Sequence, residues 1–284
     1  MRYECLKISV NYEKADAHQV GGQPVLQAWL LEKSPELLQN NKRPAVIVCP
    51  GGGYAYRSGR EGEPIAMRFL AGGMHAFVLQ YSVAPSRYPS AALELAAAVK
   101  LVRENAENFG ILTDQIYIAG FSAGGHLCAT LGTLWEEPVF EKALGGKGGD
   151  WRPNGMILCY PVITMGEYTH QGSRDCLLGP DACAEIIDAL SLEKRVSAKT
   201  VPAFLWHTYE DGAVPAENSL LFALALKRFC VPFELHVYEK GGHGLALCDI
   251  TTAQGSEHLV PDNAGWMDLA IRWIWRKAGM VDHQ

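Results

Sequence analysis

The chain reads as an α/β fold, a three-layer α/β/α sandwich around a mostly parallel sheet with an antiparallel strand pair at its N-terminus. Three observations lead there. Short, continuous apolar runs recur at 45–49 (AVIVC), 75–81 (HAFVLQY), 116–119 (IYIA), 156–160 (MILCY), 203–206 (AFLW) and 233–238 (FELHVY), the pattern of strands buried on both faces. Helical stretches separate these runs, and such alternation implies right-handed crossovers. Of the 284 residues, 48% are hydrophobic, enough for one large core.

The elements follow in order. At the N-terminus "L-K-I-S-V-N-Y" (6–12) alternates apolar and polar residues, and "V-L-Q-A-W-L-L" (25–31) follows the Gly21-Gly22 turn, which predicts two antiparallel strands. Residues 63–71 put Ile65, Phe69 and Leu70 on one helical face and stop at Gly72-Gly73, a left-handed cap signal. A longer helix is expected over 90–108, with Ser90 as its N-cap and Gly110 beyond its end. Further helices fit 122–135, 216–229 and 262–277. The glycine-rich 141–154 reads as a mobile loop. Residues 162–200, with a helical patch at 181–190, are too long for an ordinary connection and read as a lid-like insertion within a single domain spanning 1–284.

Composition excludes several classes. With 25 basic and 31 acidic residues the net charge is −6, and no stripe of Lys and Arg offers phosphates a surface, so nucleic acid is not an expected partner. No segment approaches the ~20 apolar residues that span a bilayer, so no membrane partner is expected. The first residues carry charges every few positions and lack the apolar core of a secretory signal. The eight cysteines are scattered without a C-x-x-C pair, which suits free buried thiols in a reducing compartment and makes the cytoplasm the expected location. No cofactor and no metal is expected. Oligomeric state is left open.

The chemistry-bearing stretch is "G-F-S-A-G-G-H" at 120–126. About 0.1 copies of G-x-S-x-G are expected by chance in a chain with 29 glycines. The context separates it from a plain glycine turn: a strand-like run precedes Ser122 and a helix-compatible run follows. That is the strand–turn–helix setting that lifts a serine hydroxyl clear of a sheet. A Cβ at Gly120 or Gly124 is expected to collide with neighbouring backbone.

Such a serine needs an imidazole base. Among nine histidines, His236 lies within a strand and His75 begins one, while His18, His258 and His283 fall outside the strand-end turns. His126 sits four residues past Ser122 and is expected to pack beneath the turn; His207 ends a strand and is expected to support the site from behind. His170, in the insertion, is a candidate substrate contact. His243, in "Y-E-K-G-G-H-G" directly after the last strand, is the candidate base. Asp211, in "L-W-H-T-Y-E-D-G-A-V-P", is the candidate acid that orients it. Glu210 is its neighbouring rival, and Asp249 falls after His243 in the chain. "C-P-G-G-G-Y" (49–54) follows the first parallel strand, and its Gly52 and Gly53, with the N–H of Ala123, are the candidate oxyanion donors. Tyr54, Arg57, Tyr168, His170 and Trp206 are candidates for a polar, sugar-accepting pocket.

With those residues in place the chain resembles α/β-hydrolases of the esterase/lipase group, and within it the bacterial acetylxylan-esterase-like, carbohydrate-esterase branch. "P-G-G-G-Y" stands where hormone-sensitive-lipase relatives have H-G-G-G. "Y-S-V-A-P" (81–85) stands for Y-R-L-A-P, "H-T-Y-E-D-G-A-V-P" is similar to H-G-x-x-D-x-x-V-P, and "G-G-H-G" matches the histidine loop. The resemblance covers roughly 40–280 and implies a Ser122–Asp211–His243 triad in the chain order of α/β-hydrolases. Pro50 departs from the family histidine, which bears on how the oxyanion loop is braced, and Thr208 departs from the glycine after His207. The implied function is serine-dependent hydrolysis of carboxylic esters, short acyl or acetyl esters of a carbohydrate or other small alcohol, through an acyl-enzyme. Two alternatives stand beside it: a prolyl-oligopeptidase-like serine peptidase, and a non-catalytic binding protein on the same scaffold.

Overall fold

A computed structural model describes residues 1–36 and 42–279. Eight strands form one sheet, and each apolar run of the sequence is one of them. Strand β1 (Arg2–Lys7) pairs antiparallel with β2 (Val25–Leu30), and β2 pairs antiparallel with β4 (His75–Gln80). From β4 onward the neighbours are parallel: β3 (Arg43–Cys49), β5 (Ile111–Phe121), β6 (Gly155–Cys159), β7 (Ala203–Thr208) and β8 (Phe233–Tyr238), in the spatial order β1-β2-β4-β3-β5-β6-β7-β8.

Alternation along the central strands feeds two cores. In β3, Ala45, Ile47 and Cys49 face one cluster and Val46 and Val48 the other; in β7, Ala203 and Leu205 oppose Phe204 and Trp206. The first cluster is closed by helix α2 (Ser90–Glu104), the second by α1 (Glu63–Ala71). In chain order follow α3 (Ala106–Phe109), α4 (Ala123–Leu134), α5 (Pro138–Leu144), α6 (Gly148–Trp151), α7 (Gln171–Leu178), α8 (Ala184–Ala189), α9 (Glu217–Arg228) and α10 (Trp266–Lys277). Helices α4 and α9 join the first core and α10 the second, which makes the three layers. Because both sheet faces are covered, continuous apolar runs rather than alternating ones mark these strands.

Several expectations need correction. The first strand is displaced toward the N-terminus and ends at Lys7; the chain then leaves the sheet, and Asn11 N–H donates to Ala143 O. Ser90 is the first helical residue rather than the N-cap, and its hydroxyl donates to His18 O at 3.1 Å. The 90–108 helix breaks at Asn105, whose side chain donates to Leu101 O at 2.8 Å, competing with the helical ladder. The 141–154 stretch contains the end of α5 and all of α6. Lys100 Nζ holds the carbonyls of Leu144 and Gly145, and Arg103 those of Gly149, Asp150 and Arg152, so cations of α2 pin it. His283 lies outside the described residues.

Candidate active site

The parallel strands β3, β5, β7 and β8 all deliver their loops to one edge of the sheet, the carboxyl edge where α/β folds bind ligands. Ser122 sits between β5 and α4 with φ 53° and ψ −118°, a sparsely populated conformation for a residue with a Cβ. The flanking glycines make it possible. A Cβ on Gly120 would overlap the Gly124 carbonyl, and one on Gly124 would overlap the carbonyls of Cys49 and Pro50. Backbone bonds fix the turn: Ser122 N–H donates to Cys159 O at 3.0 Å, and Ser122 O accepts from Gly125, His126 and Val162.

The Ser122 hydroxyl donates to His243 Nε2 at 2.8 Å, and His243 Nδ1–H donates to Asp211 Oδ2 at 2.7 Å. The other Asp211 oxygen accepts the N–H groups of Ala213 (3.0 Å) and Val214 (2.9 Å). Burial favours the neutral acid at Asp211, yet hydrogen bonds from His207 and His243, the His243 charge and the Val214 N–H outweigh it and hold the carboxyl well below its ordinary range. His207 is buried behind it, with Nε2 3.4 Å from Asp211 Oδ2 and 2.9 Å from Val214 O, and Nδ1 2.8 Å from Ser219 Oγ. Glu210 turns away, accepting from Lys240 Nζ and Gly241 N–H.

A cavity of about 400 Å³ opens over Ser122, lined among others by Gly52, Gly53, Glu61, His170 and His243. Gly52 and Gly53 have φ of +120° and +64°, and a Cβ on Gly52 would overlap the Tyr56 carbonyl, so the glycines are a steric requirement of this loop. Ala123 is the first residue of α4, and its N–H belongs to the turn that lacks intrahelical acceptors. Tyr81, from the Y-S-V-A-P stretch, donates its hydroxyl to Pro50 O at 2.5 Å and braces the loop from below.

The expected substrate contacts divide. His170 lines the cavity. Its Nδ1 accepts the Ser173 N–H at 3.2 Å, which leaves Nε2 to carry the proton; burial, and the charge of His243 next, lower its pKa. Tyr54, Arg57, Trp206 and Tyr168 lie outside the lining. Tyr54 is buried beneath the loop, donating to His126 Nδ1 at 3.0 Å. Arg57 donates to Gln80 Oε1 and Tyr81 O at the end of β4. Trp206 belongs to the second core, stacked on Trp266 with ring centroids 5.1 Å apart. Alternation along the buried strand sends it to the face covered by α10, which strand-end position alone did not show. Tyr168 offers its carbonyl to Asn218.

His126 packs beneath the turn as expected, its Nε2–H donating to Leu190 O at 3.0 Å. Tyr56, Arg60, Glu61 and Cys176 line the cavity unforeseen. No motif in "S-G-R-E-G-E-P" (58–64) marks a site residue, and its closeness to the glycine loop is the one signal that points there.

Sheet, elbow and hydrogen-bonded side chains together define an esterase-like α/β-hydrolase. The chain belongs to the BD-FAE family, whose model matches residues 34–226. It is 41% identical over 219 residues to endo-1,4-β-xylanase B of Butyrivibrio fibrisolvens, an overlap of 73% of this chain and 33% of that protein. To the acetylxylan esterase of Xylanibacter ruminicola it is 28% identical over 237 residues, 81% of this chain and 46% of the relative. The chain thus spans a third to about half of the length of these curated relatives. Among solved structures, an acetyl ester-xyloside bifunctional hydrolase from Caldicellulosiruptor lactoaceticus superposes with a TM-score of 0.82 at 35% identity, covering 98% of this chain and 97% of that one. A carboxylesterase from Lactobacillus plantarum gives 0.80 at 29% identity, with both chains covered completely. No helix among the described residues is long and apolar enough to cross a membrane.

Proposed function

We propose that the chain hydrolyses short-acyl carboxylic esters, acetyl esters of a carbohydrate or other small alcohol, through Ser122, His243 and Asp211. The observation that carries this reading is the unbroken relay from the Ser122 hydroxyl through His243 to Asp211, with links of 2.8 and 2.7 Å between side chains from three separate loops. His243 takes the serine proton as Oγ attacks the ester carbonyl, and Asp211 stabilises the imidazolium. The N–H groups of Gly52, Gly53 and Ala123 receive the oxyanion. His243 then protonates the departing alkoxide, and water, activated by the same ring, releases the acid from the acyl-enzyme.

A small leaving alcohol suits the cavity, and the Nε2–H of His170 gives it a donor for a hydroxyl oxygen. Residues 162–200 act in this reading as a lid-like insertion within one hydrolase domain. Glycoside cleavage fits less well, since it needs two carboxyls flanking the bond. Among the described cavity-lining residues there is one, Glu61, and both its oxygens are engaged.

The test is turnover of p-nitrophenyl acetate and of acetylated xylo-oligosaccharides by the parent and Ser122→Ala, with fluorophosphonate labelling. The parent should react and label, and the variant should lose both by orders of magnitude. Equal rates for the two would discard the mechanism, and a folded parent that neither turns over nor labels would favour a binding protein. His170→Ala should raise KM for the sugar acetates more than for p-nitrophenyl acetate.

A further inference from the structure

Glu61 takes no part in that chemistry, yet it is 4% exposed and borders the cavity. Its Oε2 accepts the Gly51 N–H at 2.9 Å, and its Oε1 accepts the Tyr160 hydroxyl at 2.6 Å. The Tyr160 oxygen in turn accepts the Ala246 N–H at 2.9 Å. Gly51 opens the loop that carries Gly52 and Gly53, and Ala246 lies in the loop that carries His243. One carboxyl group therefore joins the two loops that must face each other across the reacting carbonyl.

The neighbouring residues tighten the same connection. Arg60 donates to Gly244 O at 2.9 Å and to Thr252 O at 2.5 Å, and Ser58 N–H donates to Gly51 O at 2.9 Å. The Tyr160 ring stands edge-on to His243 with centroids 5.1 Å apart. Burial and the nearby Glu61 raise the Tyr160 phenol well above its ordinary pKa, so it stays a donor. Pro50, ahead of the glycines, has no side-chain hydrogen-bonding group to hold the loop, and the Glu61 carboxyl supplies a brace at Gly51.

We propose that Glu61 is a positioning residue: it sets the separation between the oxyanion loop and the His243 loop, and through it the alignment of donors and base on the transition state. The proposal rests on the serine-esterase reading. A carboxylate suits the place because it accepts two donors at once, one on each oxygen. Glutamine accepts on one oxygen only and turns an NH₂ toward a group that is itself a donor. Displacing reacting groups by about 1 Å costs on the order of 100-fold in rate.

The experiment compares Glu61→Gln, Tyr160→Phe and the double variant with the parent on p-nitrophenyl acetate. Turnover is normalised to serines titrated by a fluorophosphonate, with KM and Tm recorded alongside. The expected result for Glu61→Gln is kcat per titrated site lower by about 10- to 100-fold with KM within about threefold. Tyr160→Phe should fall in the same direction, and the double variant should be no worse than the more impaired single one, because both cut one network. Per-site kcat within about twofold of the parent, with any lost activity tracking lost titratable sites, would make Glu61 merely structural and overturn the proposal. If Glu61→Gln does not fold, Tyr160→Phe decides by the same per-site criterion. Ser122→Ala separates the two levels: an active, folded Ser122→Ala sinks the esterase reading itself, whereas an inactive one beside a parent-like Glu61→Gln sinks this inference alone.

Discussion

Asp211→Asn isolates the role of one proton. In the parent, Asp211 Oδ2 accepts the His243 Nδ1–H at 2.7 Å, which leaves Nε2 unprotonated toward the Ser122 hydroxyl. Asparagine can keep its oxygen on the N–H groups of Ala213 and Val214, where Oδ1 sits now. Its NH₂ then faces His243 Nδ1, which must accept instead of donate. The ring proton moves to Nε2, and the serine loses its base although no heavy atom need shift. The expected loss is about 10⁴-fold in kcat, equivalent to about 5.5 kcal/mol of barrier. The NH₂ would also point toward His207 Nε2, now 3.4 Å from Oδ2, so about 1–3 kcal/mol of stability should go as well. The assay is p-nitrophenyl acetate turnover at neutral pH, with urea unfolding to confirm that the variant is folded. A folded Asp211→Asn retaining more than about a tenth of parental kcat would refute the tautomer argument, since the factor of 10⁴ would have no source.

Two further predictions concern the scaffold. Gly124→Ala should cost about 3 kcal/mol or more, because its Cβ would overlap the Cys49 and Pro50 carbonyls, whereas Gly149→Ala, which meets nothing within 4 Å, should be near neutral; similar Tm values for both would contradict the packing at the elbow. His75 and His126 are buried as neutral rings, burial pushing each down to about 4 from an ordinary 6.5. The unfolded chain binds more protons between those values, so stability is full above about pH 6.5 and falls as pH drops toward 4, by up to about 3 kcal/mol per ring. Urea midpoints at pH 7.5 and 5.0 measure this, and equal midpoints would count against it.

The sheet was legible because burial on both faces leaves an unmistakable apolar run, and the Ser122–His243–Asp211 relay because each of its members lies in a loop that follows a strand end. Ser122, Asp211 and His243 each sit in a loop with its own glycine signature, so their meeting needed only parallel topology. What lay outside the sequence was orientation. Trp206 and His207 are adjacent on β7, yet alternation sends the tryptophan into the α10 side and the histidine toward Asp211. Glu61 was hidden for another reason: a charged residue in a glycine-rich turn looks solvated until its partners, 10 and 99 residues away, close over it. The Ser90 cap failed because the helix starts one residue earlier, with Pro89 at the N-cap, so Ser90 is already helical and its hydroxyl donates to the His18 carbonyl. The 141–154 stretch looked unsupported because the cations that hold its carbonyls sit on another helix.

The two ends of the 162–200 segment are bonded to each other and to the core. Leu192 N–H reaches Ile163 O, Met165 N–H reaches Ser191 Oγ, Asn218 Oδ1 takes the N–H groups of Ile163 and Thr164, and Leu190 O is held by His126. A segment closed in this way has its own bonds at both ends, and lengthening the span between them adds only a slowly growing entropy. Exchange of 166–189 for a stretch that also fills the Leu177 place in the first core and accepts the Tyr88 N–H should therefore leave serine, ring and acid in register. Under the proposed esterase reading, such an exchange would replace the cavity wall that carries His170 and Cys176 and leave the Ser122–His243–Asp211 relay intact.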